Sequence, residues 1–336
     1  MFLRWSWFED GRVLREEIEM RFMKLMGVVG LLAMAGGGAL VGCDGSDADI
    51  TPLPDDECAQ TEPTCSVGGC VALTDNADKS TFGLRMSQLT LTAPTALTGA
   101  TVQQIVGGGV LMNLEACRLT GQGTFNWLLE FDKTAGTVRT GGALPRKNPR
   151  EGYCFISAQE GAFTIEPVTV PYADDGGKLS ANVGDLLVPI YLALDPPGTP
   201  ILLPLKDARV TELSLSADNN CVGTYNADGL LPSDRCLPSR DYPAFVDGAS
   251  LDAHVTLEEA DQVIVEDLGQ TLCVLLGGSS SGDGATPNRC ARDANGAIVL
   301  KGDFCSTTGT AGGCQDAFSL SATFAASAVD ISGICL

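Results

Sequence analysis

The chain has 336 residues, with 42 acidic against 21 basic side chains, a single histidine, 13 cysteines and a formal net charge of −21. A field of that sign repels nucleic acid and anionic lipid headgroups, so no nucleic-acid partner is expected. The length suffices for one large hydrophobic core or two smaller ones.

Residues 1–19 carry Glu9, Asp10, Glu16, Glu17 and Glu19, which cancel their basic neighbours and do not suit the start of a secretory signal. They read as an over-called start, with Met20 or Met23 giving a short basic beginning. Arg21 and Lys24 then precede Met26–Val41, which has no charged residue. That run is too short for a comfortable membrane span of about 20 residues, and has the layout of a signal peptide over 20–42.

Leu40-Val41-Gly42-Cys43 closes this run. The tetrapeptide, with its basic flank and apolar run, resembles the lipobox of bacterial lipoprotein precursors. The resemblance implies that the Cys43 thiol takes a diacylglycerol, that the chain is cut before it, and that the new amine is acylated, by palmitate for example. The membrane is then a partner through the lipid on Cys43, since two or three acyl chains hold where one is marginal. Asp44 points to inner-membrane retention in enteric lipoproteins. Other lineages sort differently, and the outer membrane, on its periplasmic or surface face, is the preferred location.

Residues 43–57 are acidic and proline-punctuated, with too few apolar groups to offset the entropy of ordering. They read as a flexible tether. Removing Cys43 leaves Cys58, Cys65, Cys70, Cys117, Cys154, Cys221, Cys236, Cys273, Cys290, Cys305, Cys314 and Cys335. An even set in an exported chain reads as disulfides, with Cys117–Cys154 and Cys221–Cys236 as local guesses. No C-x-x-C pair exists, which disfavours structural zinc.

From Phe82 onward the pattern has period two. Strands are expected at Phe82–Thr92, Thr124–Asp132, Ala162–Val170, Leu186–Leu194, Ile201–Leu205, Arg209–Ser216 and Phe318–Phe324. In the first, the apolar parity changes between Met86 and Leu89, which predicts a bulge near Ser87-Gln88. Thr256-Leu257-Glu258-Glu259 matches a capping box. Leu257, Ala260, Ile264 and Leu268 follow at helical spacing, predicting one long helix over 257–275 with Glu258, Glu259, Asp261, Glu266 and Asp267 on its wet face. Residues 58–336 thus read as a mainly β, disulfide-stapled domain: an antiparallel β-sandwich, a jelly roll being one form, with one long helix. If it divides, the break falls near 240–255.

Chemistry is sparse. Glu130 and Asp132 share a strand face and form the best carboxylate pair for an alternative reading as a carbohydrate-active hydrolase, but Trp127 and Phe131 occupy the opposite face. Gly278-Ser279-Ser280-Ser281-Gly282 matches the nucleophile elbow only formally, because a helix precedes it and His254 lies upstream. His254 reads as a surface or capping residue. Asp228 and Asp234, with Asn226, and Asp293, with Asn295, offer calcium-type oxygens without the spacing of an EF-hand loop. No catalytic residue, metal or cofactor is expected. The leading reading is a non-catalytic binding, adhesion or envelope-structural module for an envelope or extracellular ligand.

Overall fold

A computed structural model describes residues 69–114, 119–226, 230–231, 237–238, 243–282 and 286–335. All belong to one compact unit, Pro52–Leu336. The expected signal peptide, Cys43, the expected tether, Cys58, Cys65, Cys117, Cys236, Asp228 and Asp234 lie outside the described residues.

Eight strands follow one another as antiparallel neighbours: β1 (Thr81–Ala93), β2 (Asn126–Asp132), β3 (Thr137–Ala143), β4 (Val168–Asp175), β5 (Lys178–Ile190), β6 (Ile201–Ser214), β7 (Ala249–Thr256) and β8 (Ala317–Val329). β8 meets β7 along Ala317–Phe324 and β1 along Ser321–Val329. The sheet therefore returns on itself as a barrel, where two stacked sheets were expected. Local alternation is identical in a sandwich and a barrel; closure is decided by how strands of unequal length share partners and by the bends that bulges introduce. The expected bulge is present, since Met86 faces Ala326 and Gln88 faces Ala325, leaving Ser87 unmatched.

Alternate residues point to the barrel axis. Trp127, Leu129 and Phe131 of β2 and Leu320, Ala322 and Phe324 of β8 are buried in one continuous core with residues of every other strand. Burial of a side chain of this size contributes roughly 1.5–3 kcal/mol. β4 pairs with β3 through Val168–Pro171 and with β5 through Tyr172–Asp175. Beyond β4, β3 and β5 approach directly. A Cβ on Gly142 would lie 2.4 Å from Pro189 Cδ, so only glycine fits there.

One barrel end is closed by short helices. α1 (Ala100–Val110) runs beside β1, and Gln103 accepts from Leu91 N and donates to Leu91 O, taking the place of a strand partner where β1 becomes irregular. The expected long helix is absent. The structure has α2 (Leu257–Ala260), a two-residue hairpin pairing of Ile264–Val265 with Gln270–Thr271, and α3 (Leu272–Leu275). The β-branched run Val263-Ile264-Val265 favours extended backbone, and Gly269 at φ 59° reverses the chain. The capping position holds: Thr256 Oγ1 accepts from Glu259 N at 3.3 Å. Ile264, expected in the buried stripe, is instead 41% exposed.

Parts of the outer wall are covered. A parallel ribbon of Tyr153–Ile156 and Ile331–Cys335 shields Leu128, Ala143 and Val329. Cys70, Val71, Tyr225 and Phe245 shield Ala325. Of the 240–255 stretch, Ala249–Val255 is barrel strand, hydrogen-bonded to both neighbours.

Candidate functional site

The barrel end opposite the short helices carries the termini Asp132, Thr137, Asp175, Lys178 and Ser214. Just inside this rim is a small recess of about 10 Å³, room for about one water-sized group. β2 supplies Leu129 and Phe131, β3 Val138 and Thr140, β4 Tyr172, β5 Leu179, Ser180, Ala181 and Val183, and β6 Val210 and Leu213. Strand alternation puts these apolar side chains inward, and their register rows, Phe131 opposite Val138 and Leu179 opposite Leu213, lie one residue below the rim. A barrel of eight strands has an interior just wide enough to be filled by side chains or to hold one small ligand. Here side chains fill the interior, and the space left at the end is no larger than a water.

The recess has no charged lining residue. Thr140 Oγ1 accepts from Trp127 Nε1 at 2.7 Å and donates to Leu128 O at 2.9 Å, so its hydrogen-bonding capacity is engaged. Phe131 meets Tyr172 edge to face at 5.6 Å and stacks on Phe82 at 5.3 Å, giving an aromatic wall. A second apolar recess, also of about 10 Å³, lies under the short helices, among Pro94, Leu97, Leu203, Leu272, Leu276 and Phe318.

No protein-family profile, no curated protein and no solved structure matches this chain.

The structure separates the carboxylate pair by role. Glu130 forms an ion pair with Arg139 across the β2–β3 register at 2.5 Å, and Asp132 accepts from Thr134 N and Ala135 N in the following turn. Both lie on the outer wall, while Trp127 and Phe131 are core, as the alternation required. Asp293 likewise closes a turn by accepting from Asn295 N and Ala297 N. Asn226 donates to Pro243 O. Ser280 of the elbow-like stretch sits in an isolated bridge with Cys290.

His254 is not a surface residue. It faces outward from β7 but is 4% exposed, under the Phe304 ring at 4.9 Å, with Nδ1 3.7 Å from Asp207. Asp261, expected on a wet face, is 1% exposed. It accepts from Thr271 Oγ1 and Cys290 N and pairs with Arg292 at 3.1 Å, because the chain reverses after α2 and brings residues 288–292 over it.

Among the described residues four disulfides are formed: Cys70–Cys221, Cys154–Cys335, Cys273–Cys290 and Cys305–Cys314. The local guesses Cys117–Cys154 and Cys221–Cys236 are overturned, since Cys154 and Cys221 take partners 181 and 151 residues away. Barrel closure, not chain proximity, brings these thiols together. Two of the bridges contribute sulfurs to the groups Asp261, Cys273, Cys290 and Cys305, Cys314, Asp316. Oxidised sulfurs are not thiolate ligands, so neither group is a metal site in this state.

Tyr172, Val138, Val210 and Leu213 were not singled out from sequence. Pro171 interrupts the run Val168-Thr169-Val170 and argues against continuing a strand to Tyr172. The structure accommodates it opposite Thr137.

Proposed function

We propose that this chain is the precursor of a lipid-anchored extracytoplasmic binding module of a bacterial envelope, non-catalytic, held at the membrane by acyl chains on Cys43. The acidic tether 44–57 carries the stapled barrel away from the bilayer. The observation that carries the reading is the stapled, closed barrel itself: its interior is packed with side chains, with about 10 Å³ left inside the rim, so a ligand is met by the outer wall and loops. The four disulfides among the described residues suit an oxidising compartment, and the lipobox-like Leu40–Cys43 supplies the anchor. The outer membrane remains the preferred location.

Metabolic labelling with an alkyne fatty acid, in wild type and Cys43→Ala, tests the anchor. Label on wild-type protein in the membrane fraction, lost in the variant, is the expected result. An unlabelled mature protein that begins elsewhere overturns it.

A further inference from the structure

We infer that the Cys305–Cys314 bridge is a thiol-exchange site, at which a small external thiol forms a mixed disulfide with Cys314 and releases Cys305. This goes beyond the binding-module reading and does not depend on it.

Access singles out this bridge among the described ones. Cys314 is exposed, whereas Cys70, Cys154, Cys273, Cys290 and Cys305 are buried and Cys221 and Cys335 are half-buried. Gly312 and Gly313 precede Cys314 and carry no side chain to shield it. Both hold left-handed backbone, as does Gln315 at φ 53°. That conformation strains Gln315, the one residue of the three with a Cβ, and opening the bridge lets it relax. The bridge spans 9 positions, against 17, 151 and 181 for the other three, so it restricts the unfolded chain least and its opening costs the fold least.

The polar neighbours set the direction of exchange. Asp316 Oδ1 lies 3.1 Å from Cys314 Sγ, which disfavours a second negative charge there. The Thr307 hydroxyl is 3.3 Å from Cys305 Sγ and can donate to it, offsetting the cost of charging a buried sulfur. An incoming thiolate therefore attacks Cys314 Sγ: a new S–S bond forms, the Cys305–Cys314 bond breaks, and its electron pair leaves on Cys305. The proton given up by the external thiol goes to solvent, from which Cys305 can take one. A second external thiol can then displace Cys314, so that two external thiols end as one disulfide and the bridge ends as two thiols. Alternatively Cys305 attacks Cys314 Sγ, expels the first thiol and restores the bridge. The surrounding frame favours that return. Asp316 accepts from Ser306 N and Oγ, and Asp303 accepts from Ser319 N and Oγ, so the loop stays tied at both ends and Cys305 stays beside Cys314.

The full oxidised chain, treated under native conditions with cysteamine and quenched with N-ethylmaleimide, tests the site by peptide mapping. The expected early product carries cysteamine on Cys314 and maleimide on Cys305, formed at least about tenfold faster than any other bridge opens. Circular dichroism should stay native throughout. Thr307→Val, at an exposed loop position, should slow the exchange about three- to tenfold by removing the donor to the leaving sulfur. Earlier opening of another bridge overturns the site, as does opening only with global unfolding. Cysteamine found mainly on Cys305, or an unchanged rate in Thr307→Val, overturns the assigned direction.

Discussion

The Arg85 guanidinium lies over the ring of Tyr153, 5.7 Å from its centroid, and the two side chains are 0% and 2% exposed. Arg85 projects outward from β1, under the ribbon that contains Tyr153. It donates to Asn126 Oδ1, Met86 O and Phe125 O. Burial foremost lowers the Arg85 pKa and raises that of Tyr153, each partly offset by the other's presence. This contact fastens the ribbon to the barrel wall.

Arg85→Met keeps much of the volume but leaves Asn126 Oδ1 without its partner and removes the contact to Tyr153. Hydrogen bonds to charged groups are worth about 1.5–3 kcal/mol, so a net loss of about 3 kcal/mol is expected. Urea unfolding of wild type and variant at neutral pH measures it. A change below about 0.5 kcal/mol would show that the guanidinium contributes nothing net.

The bridges should map as Cys70–Cys221, Cys154–Cys335, Cys273–Cys290 and Cys305–Cys314. Non-reducing peptide mapping reads this directly, and alkylation under denaturing conditions counts free thiols. All twelve cysteines other than Cys43 are expected to be oxidised in exported protein. Cys335→Ser should cost about 2–5 kcal/mol, because that bridge closes a long loop and holds the ribbon that covers Arg85.

Acid should weaken the fold through specific carboxylates. For Asp316, burial works to raise the pKa but is outweighed by hydrogen bonds from Ser306 N and Oγ and by nearby His254, leaving the carboxyl below its ordinary range. Asp218 is lowered foremost by the Ser216 hydroxyl, then by Asn220. A depressed folded-state pKa means stability that is present above the unfolded value, about 3.9, and lost as pH falls through the folded value. The thermal midpoint should therefore fall below about pH 4. In Asp316→Asn that fall should be shallower, which scanning calorimetry between pH 2 and 6 would reveal.

Translation offers a separate check on the start of the chain. On the proposed reading, disrupting the Met1 codon should leave the anchored product unchanged in amount and mass, with Met20 or Met23 starting the proposed signal. Loss of the product on an immunoblot would assign residues 1–19 a role.

How much was readable in advance follows from the range of each interaction. Alternation in Phe318–Phe324 and the parity change at Ser87 are local properties of extended backbone, so the sequence by itself determined that this chain is mainly antiparallel β, where β1 bulges and which faces of β2 and β8 are core. The proposed lipidation pattern ending at Cys43 is equally local, because a motif of that kind is a linear segment. Closure was not local. Whether β8 returns to β1 depends on residues more than 200 positions apart, and the pairs Cys70–Cys221 and Cys154–Cys335, 151 and 181 positions apart, are likewise long-range. The helix over 257–275 failed for a related reason: its apolar spacing is compatible with two short helices around a hairpin, and burial of Asp261 beneath Arg292 decides between them. The recess was invisible because Val138, Tyr172 and Leu213 come from three separate strands, and only the curvature of the closed sheet brings their inward faces together around one space.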